Sequence, residues 1–114
     1  MLYENKIMYA YRNQGGAMNE GPIHLDVWAN FEIPKSYSKK RRQECEIGNE
    51  MPTKKPDIDN IAKVVLDALN GVAYHDDSQV TNLKVRKRYT TQAEHLIIQI
   101  QADKGDVNES SETS

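Results

Sequence analysis

Between residues 23 and 33 apolar and polar side chains alternate without a break: Ile23, Leu25, Val27, Ala29, Phe31 and Ile33 against His24, Asp26, Trp28, Asn30 and Glu32. A period of two puts each set on its own side of an extended backbone, so this segment predicts a half-buried strand whose apolar side must be covered by a second layer. Helical patterns on both sides of it supply that layer. Over residues 2–14, Tyr3, Ile7, Ala10 and Tyr11 recur at helical spacing until Gly15-Gly16 stops them. Further on, Ile61, Val64, Val65, Ala68 and Leu69 form a stripe at i, i+3, i+4, i+7 and i+8, with Asp59 placed to cap its start and Gly71 to end it.

The remaining pattern predicts two more strands, over residues 79–90 and 94–103, joined by Thr91-Gln92-Ala93 as a short antiparallel hairpin. On the first, Asn82, Lys84, Arg86 and Arg88 share a face opposite Leu83, Val85 and Tyr89; on the second, Leu96, Ile98, Ile100 and Ala102 point inward. Residues 34–56 are polar and basic, carry Pro34, Pro52 and Pro56, and have room for a short helix around residues 37–46 that no apolar stripe enforces. A mobile loop is expected there. The fold class is therefore α/β in the α+β sense: two layers, a small mixed sheet packed by two helices, in the order α-β-loop-α-β-β. Residues 1–103 make one domain, and residues 104–114, whose last ten carry only acidic charge, read as a disordered tail.

At 114 residues, one core is all the chain can build, and a partner chain would help to bury it. No apolar run approaches the roughly 20 residues of a membrane helix, the start lacks the layout of a secretory signal, and a lone Cys45 makes no internal disulfide. A soluble protein of the reducing cytoplasm is expected. The net charge of -2 hides an uneven distribution. Lys35, Lys39, Lys40, Arg41, Arg42, Lys54 and Lys55 crowd one segment, and Lys84, Arg86, Lys87 and Arg88 another.

Chemistry is concentrated in two acidic pairs. Asp57 and Asp59 stand where an extended Lys-Pro segment turns into a helix; Asp76 and Asp77 follow that helix just before a strand. The pairs meet only if residues 71–75 double back along the helix, a distance within reach of five extended residues, roughly 17 Å. Carboxylates gathered within about 5 Å repel by about 3 kcal/mol per pair at an effective dielectric near 20, and so call for a cation. Oxygen ligands with no thiol or paired imidazole point to magnesium or manganese, the metals of phosphodiester hydrolysis. A calcium-binding EF-hand loop is excluded, because Ala62 and Ala68 stand where it needs Gly and Glu. Taken singly, each residue also has an ordinary role: Asp59 a helix cap, Asp76-Asp77 a turn, His75 a solvated turn residue, Lys63 an i,i+4 surface partner of Asp59. Lys84, Arg86 and Arg88 form either a solvated sheet surface or a row spaced about 6.8 Å apart, close to the step between phosphates. Trp28 is placed to stack on a base or to meet a partner chain.

In their order, Lys55-Pro56-Asp57-Ile58-Asp59-Asn60, Lys63, Asp67-Ala68-Leu69-Asn70-Gly71 and Asp76-Asp77-Ser78-Gln79-Val80 strongly resemble the RusA-type Holliday junction resolvases. The resemblance implies a homodimeric endodeoxyribonuclease of DNA recombination and repair, which nicks four-way junctions symmetrically with Mg2+, or Mn2+, held by acidic residues. Carried onto these positions, Asp57, Asp59 and Asp77 are the essential acids, Asp76 is a neighbouring metal ligand, and Lys63 assists at the phosphate. Lys39, Lys40, Arg41, Arg42, Lys54, Lys55, Lys84, Arg86 and Arg88 are the expected DNA contacts. Family members usually begin with a strand and a Pro- and Arg-rich segment, whereas this sequence opens directly on its first helix. A truncated, prophage-like form is one expectation from this, and a junction-binding protein without catalysis is the alternative reading.

Overall fold

Residues 4–105 are described in the computed structural model of the chain. Of the expected first helix and tail, residues 1–3 and 106–114 lie outside the described residues. The order of elements is α1 (Glu4–Asn13), β1 (Ile23–Glu32), α2 (Lys39–Glu46), α3 (Ile58–Leu69), a 3-10 turn (Asp77–Gln79), β2 (Val80–Thr90) and β3 (His95–Ala102). This is an α+β arrangement with a small three-stranded mixed sheet, as the sequence pattern implies.

The alternating segment forms β1, and β1 is the middle strand. Ile23, Leu25, Val27 and Ala29 are fully buried on one side of it, while His24, Asp26, Trp28 and Asn30 lie half-buried on the other. β2 runs parallel to β1, from the Ile23–Val80 pair to the Glu32–Thr90 pair. β3 runs antiparallel along the opposite edge, from Ile23–Ala102 to Asn30–His95. The expected hairpin is thus not formed: β2 and β3 are antiparallel in direction but are separated by β1. The physical reason is that the most deeply buried strand has two open edges, and both rows of N–H and C=O groups need partners inside the molecule. Residues 91–94 cross the end of β1, where two strand spacings make about 10 Å, a gap four residues can span.

α3 supplies the covering layer with Ile61, Val65, Ala68 and Leu69, all buried. Ile61, Val65 and Leu69 pack with β1, Ala73 and Tyr74, and Ile7 and Tyr11 of α1 close the same core. Full burial of each Ile, Val or Leu side chain is worth about 1.5–3 kcal/mol, so this single face accounts for much of what orients α3. Its cap differs from the expectation. Asp57, with extended backbone, occupies the N-cap position, and Asp59 falls in the first helical turn. The helix ends at Asn70, where Gly71 takes φ +77°, a left-handed conformation that suits glycine.

The segment expected to be a mobile loop contains α2. Ser38 caps it, its hydroxyl accepting from the Arg41 N–H at 3.2 Å. Arg41 is clamped to Glu50 by Nε (3.0 Å) and Nη2 (2.8 Å), and its guanidinium lies 3.6 Å from the centre of the Tyr37 ring. Arg42 donates to the Pro34 carbonyl at 2.9 Å, and Cys45 is buried. Capping and arginine cross-links hold this helix in place of an apolar stripe.

Candidate active site and nucleic-acid interface

α3 carries the first acidic pair at its N-terminus, where the helix dipole favours negative charge. Asp57 makes no side-chain cap bond. Its carboxylate turns back to Lys55 instead, with Nζ 2.7 Å from Oδ2, both side chains being largely solvent-exposed. The Lys55 ammonium is held above its ordinary pKa by the hydrogen bond to Asp57, by the Asp57 charge and, further off, by the charge of Asp59. Asp59 accepts from the Asn60 N–H at 3.0 Å. Lys63 is exposed and makes no ion pair with Asp59 among the described residues.

The second pair sits in the 3-10 turn. Asp76 Oδ2 accepts from the Ser78 N–H at 2.9 Å, and bonds from the Ser78 side chain and then its backbone hold the Asp76 carboxyl below its usual range. Gln79 locks the turn from the other side. Its Oε1 accepts from the N–H groups of His75 (2.7 Å) and Asp76 (3.2 Å), and its Nε2 donates to the carbonyls of Gly21 (2.9 Å) and Asn19 (3.1 Å), just ahead of β1. His75 pairs with Glu20 at 2.7 Å. Sequence reasoning placed Gln79 at the start of a strand, although Asp76-Asp77-Ser78-Gln79 has the spacing of a capping box and Gln79 ends the 3-10 turn instead.

Tyr74, with backbone bonds from Val72 and Ala73 to the Leu69 carbonyl, holds this turn back along α3. The buried phenol donates to the Leu66 carbonyl at 2.8 Å. Burial first, and then the charges of Asp77, Asp67 and Asp76, push the phenol well above its ordinary pKa. The second pair therefore lies beside the C-terminal half of α3. Leu66 is about 10 Å along the helix axis from Asp59 at 1.5 Å per residue. Among the described residues, no group of three or more His, Cys, Asp or Glu side chains stands together so as to hold a metal ion. Asp57 is committed to Lys55 and Asp76 to Ser78, so the acids stand as two pairs, one at the start of α3 and one in the turn beside it, and not as one cluster.

The expected DNA contacts divide in the same way. Arg41 and Arg42 brace α2, as described above. On the open face of the sheet, Arg86 donates to Asp26 at 3.2 Å and lies 4.6 Å over the Trp28 ring, while His24 holds the other Asp26 oxygen at 2.8 Å. Burial works against ionising Asp26, but His24 and Arg86 outweigh it and hold the carboxyl below its usual range. Arg88 reaches the Lys87 carbonyl at 2.8 Å. Lys39, Lys40, Lys54 and Lys84 are exposed and make no ion pair among the described residues. Lys87 lies on the helix-bearing side, 5.6 Å over the Phe31 ring, with its ammonium on the Lys54 carbonyl. No described helix is long and apolar enough to cross a membrane.

The chain is similar to an uncharacterised protein, YqaN, of Bacillus subtilis (strain 168), with 50% identity over 72 residues, or 61% of this chain and 51% of that protein. The chain thus spans about half the length of this curated relative. The family described as endodeoxyribonuclease RusA matches residues 1–101, a span that holds both acidic pairs, Lys63, β1, β2 and all of β3 but Ala102. With motif order and match over nearly the whole described fold in agreement, the chain belongs to the RusA endodeoxyribonuclease family.

Proposed function

We propose that this protein is a magnesium-dependent endodeoxyribonuclease that resolves four-way DNA junctions by paired nicks, in recombination and repair, as a cytoplasmic homodimer. The observation that carries the reading is the placement of Asp57-Asp59 at the start of α3 and of Asp76-Asp77 in a turn anchored beside the same helix, in a family match covering residues 1–101. Two nicks related by symmetry need two equivalent sites, which a dimer supplies.

The donor set suits the metal. All four carboxylates are exposed, and magnesium needs only one or two of them, with water and substrate phosphate completing its shell. Asp57 already holds a cation, the Lys55 ammonium at 2.7 Å. Asp57 and Asp59 would hold Mg2+, for which Mn2+ would substitute, and Asp77, with Asp76 beside it, would join the same ion only by moving toward the start of α3. When bound, the ion supplies an activated water and neutralises charge on the phosphoryl oxygens. Lys63, projecting from the exposed side of α3 one turn after Asp59, steadies the phosphate. Lys39, Lys40, Lys54, Lys84 and Arg88 track the backbone. Gln79 and the Asp76 cap hold Asp77 in place.

A junction-binding protein without catalysis is the second reading, and the separation of the acids into two pairs favours it. A mobile four-way junction incubated with the protein and magnesium separates the two. Symmetric nicks that vanish in Asp57→Asn, with junction binding kept, support the nuclease; binding with no nicking in the wild type leaves only the second reading.

A further inference from the structure

Where β1 and β2 end, Phe31 and Tyr89 are register partners on neighbouring parallel strands, so their side chains lie side by side on the helix-bearing face. Both are half-buried. They line a recess of about 220 Å³ that also takes in Pro34, Pro52, Glu32, Glu94, Lys54 and Lys55. At about 30 Å³ per liquid water, it has room for roughly seven waters, too little for a ligand of ordinary drug size. The Glu32 and Glu94 carboxylates are exposed and have no hydrogen bond or ion pair among the described residues. Lys55, on the rim, reaches Asp57.

We propose that this recess receives a single unstacked nucleobase of the DNA substrate. Aromatic side chains offer a surface on which any base can stack. Free carboxylates accept from an exocyclic amino group, such as N4 of cytosine or N6 of adenine, which thymine lacks. The attached phosphate falls to Lys54 and Lys55, next to the first acidic pair. The recess therefore selects amino-bearing bases over thymine, and it holds a strand at the point where stacking is broken. The proposal rests on the reading of the chain as a protein that acts on DNA, but its test needs neither metal nor cleavage.

The metal-free, isotope-labelled protein is titrated with dCMP, dAMP, dTMP and deoxyribose 5-phosphate and followed by NMR. dCMP and dAMP are expected to shift the signals of Phe31, Tyr89 and Glu94. dTMP is expected to bind several-fold more weakly, and deoxyribose 5-phosphate to perturb only Lys54 and Lys55. Loss of one base-stacking ring weakens binding by about 5- to 100-fold, so Phe31→Ala should abolish the base-dependent shifts. Because Phe31 also packs against the core, the exposed Glu94→Gln and Glu32→Gln variants carry the test if Phe31→Ala does not fold. Together they should remove the preference over dTMP. Equal shifts from dCMP and deoxyribose 5-phosphate, or an unchanged preference in the double variant, overturn the proposal. A failure to nick junctions bears on the nuclease reading alone.

Discussion

The Lys55 ammonium lies 2.7 Å from Oδ2 of Asp57, the residue that opens α3. An acid proposed to hold a metal is thus already neutralised by a cation from its own chain, and metal entry must displace it. Exposed pairs of this kind are weak, so the competition is mild. Lys55→Gln is expected to tighten Mn2+ binding by about two- to fivefold in a calorimetric titration of the DNA-free protein. Weaker or unchanged binding would show that Lys55 does not compete at this carboxylate.

The lock made by Gln79 predicts a split between stability and activity. Gln79→Ala removes acceptors for two N–H groups and donors for two carbonyls, a loss comparable to that of a helix cap, about 0.5–2 kcal/mol. The thermal midpoint should fall by several degrees. Nicking measured well below that midpoint should fall by a further tenfold or more, because Asp77 loses its support. Wild-type nicking in a destabilised Gln79→Ala would detach the turn from the chemistry.

Salt dependence distinguishes the cations of β2. Lys84→Ala should weaken junction binding evenly across sequences and lower the slope of log K against log salt by about one. Arg86→Ala should leave that slope unchanged and instead lower stability, since Arg86 is engaged by Asp26 and Trp28. A reversed assignment would mean that the sheet face rearranges on DNA.

Part of the acid sensitivity should trace to Asp26, one of several carboxyls held low. Its carboxyl is held below the unfolded value, about 3.9, by His24 and Arg86 against the cost of burial. The stabilisation this supplies is complete above the unfolded value and is lost as pH falls through the folded one. The urea midpoint should therefore drop as pH falls below about 4, and Asp26→Asn should be less stable at neutral pH with a flatter acid limb. A limb identical to wild type would place the acid-sensitive group elsewhere.

How much of this was readable from the sequence depends on what holds each element. β1 and α3 declare themselves because each buries one side, and burial leaves a period. α2 is held by the Ser38 cap, by Arg41 on Glu50 and Tyr37, and by Arg42 on Pro34, contacts that leave no periodic trace. The strand order was hidden because a short link between two strands looks the same whether they pair or flank a third. For the site, the acids announce their two pairs, but the distance between the pairs is set by how far residues 71–75 turn back, and that is held by backbone bonds from Ala73 to Leu69 and from Gly71 to Tyr74 together with the Tyr74 phenol on the Leu66 carbonyl. Arg86 and Lys84 look alike in a row of cations; only the register that sets Trp28 against Arg86, and the Asp26 carboxylate within reach, tells them apart.

The central place of β1 also bears on biosynthesis. β1 is the first strand made, and its neighbours are complete only when residues 90 and 102 have been translated, an interval of about 60 to 70 residues or several seconds at ordinary elongation rates. Until then the strand that ends up most deeply buried is a ribbon with both edges bare. The run of lysines and arginines directly behind it has the composition of gatekeeper residues, whose like charge disfavours edge pairing between copies before the sheet closes.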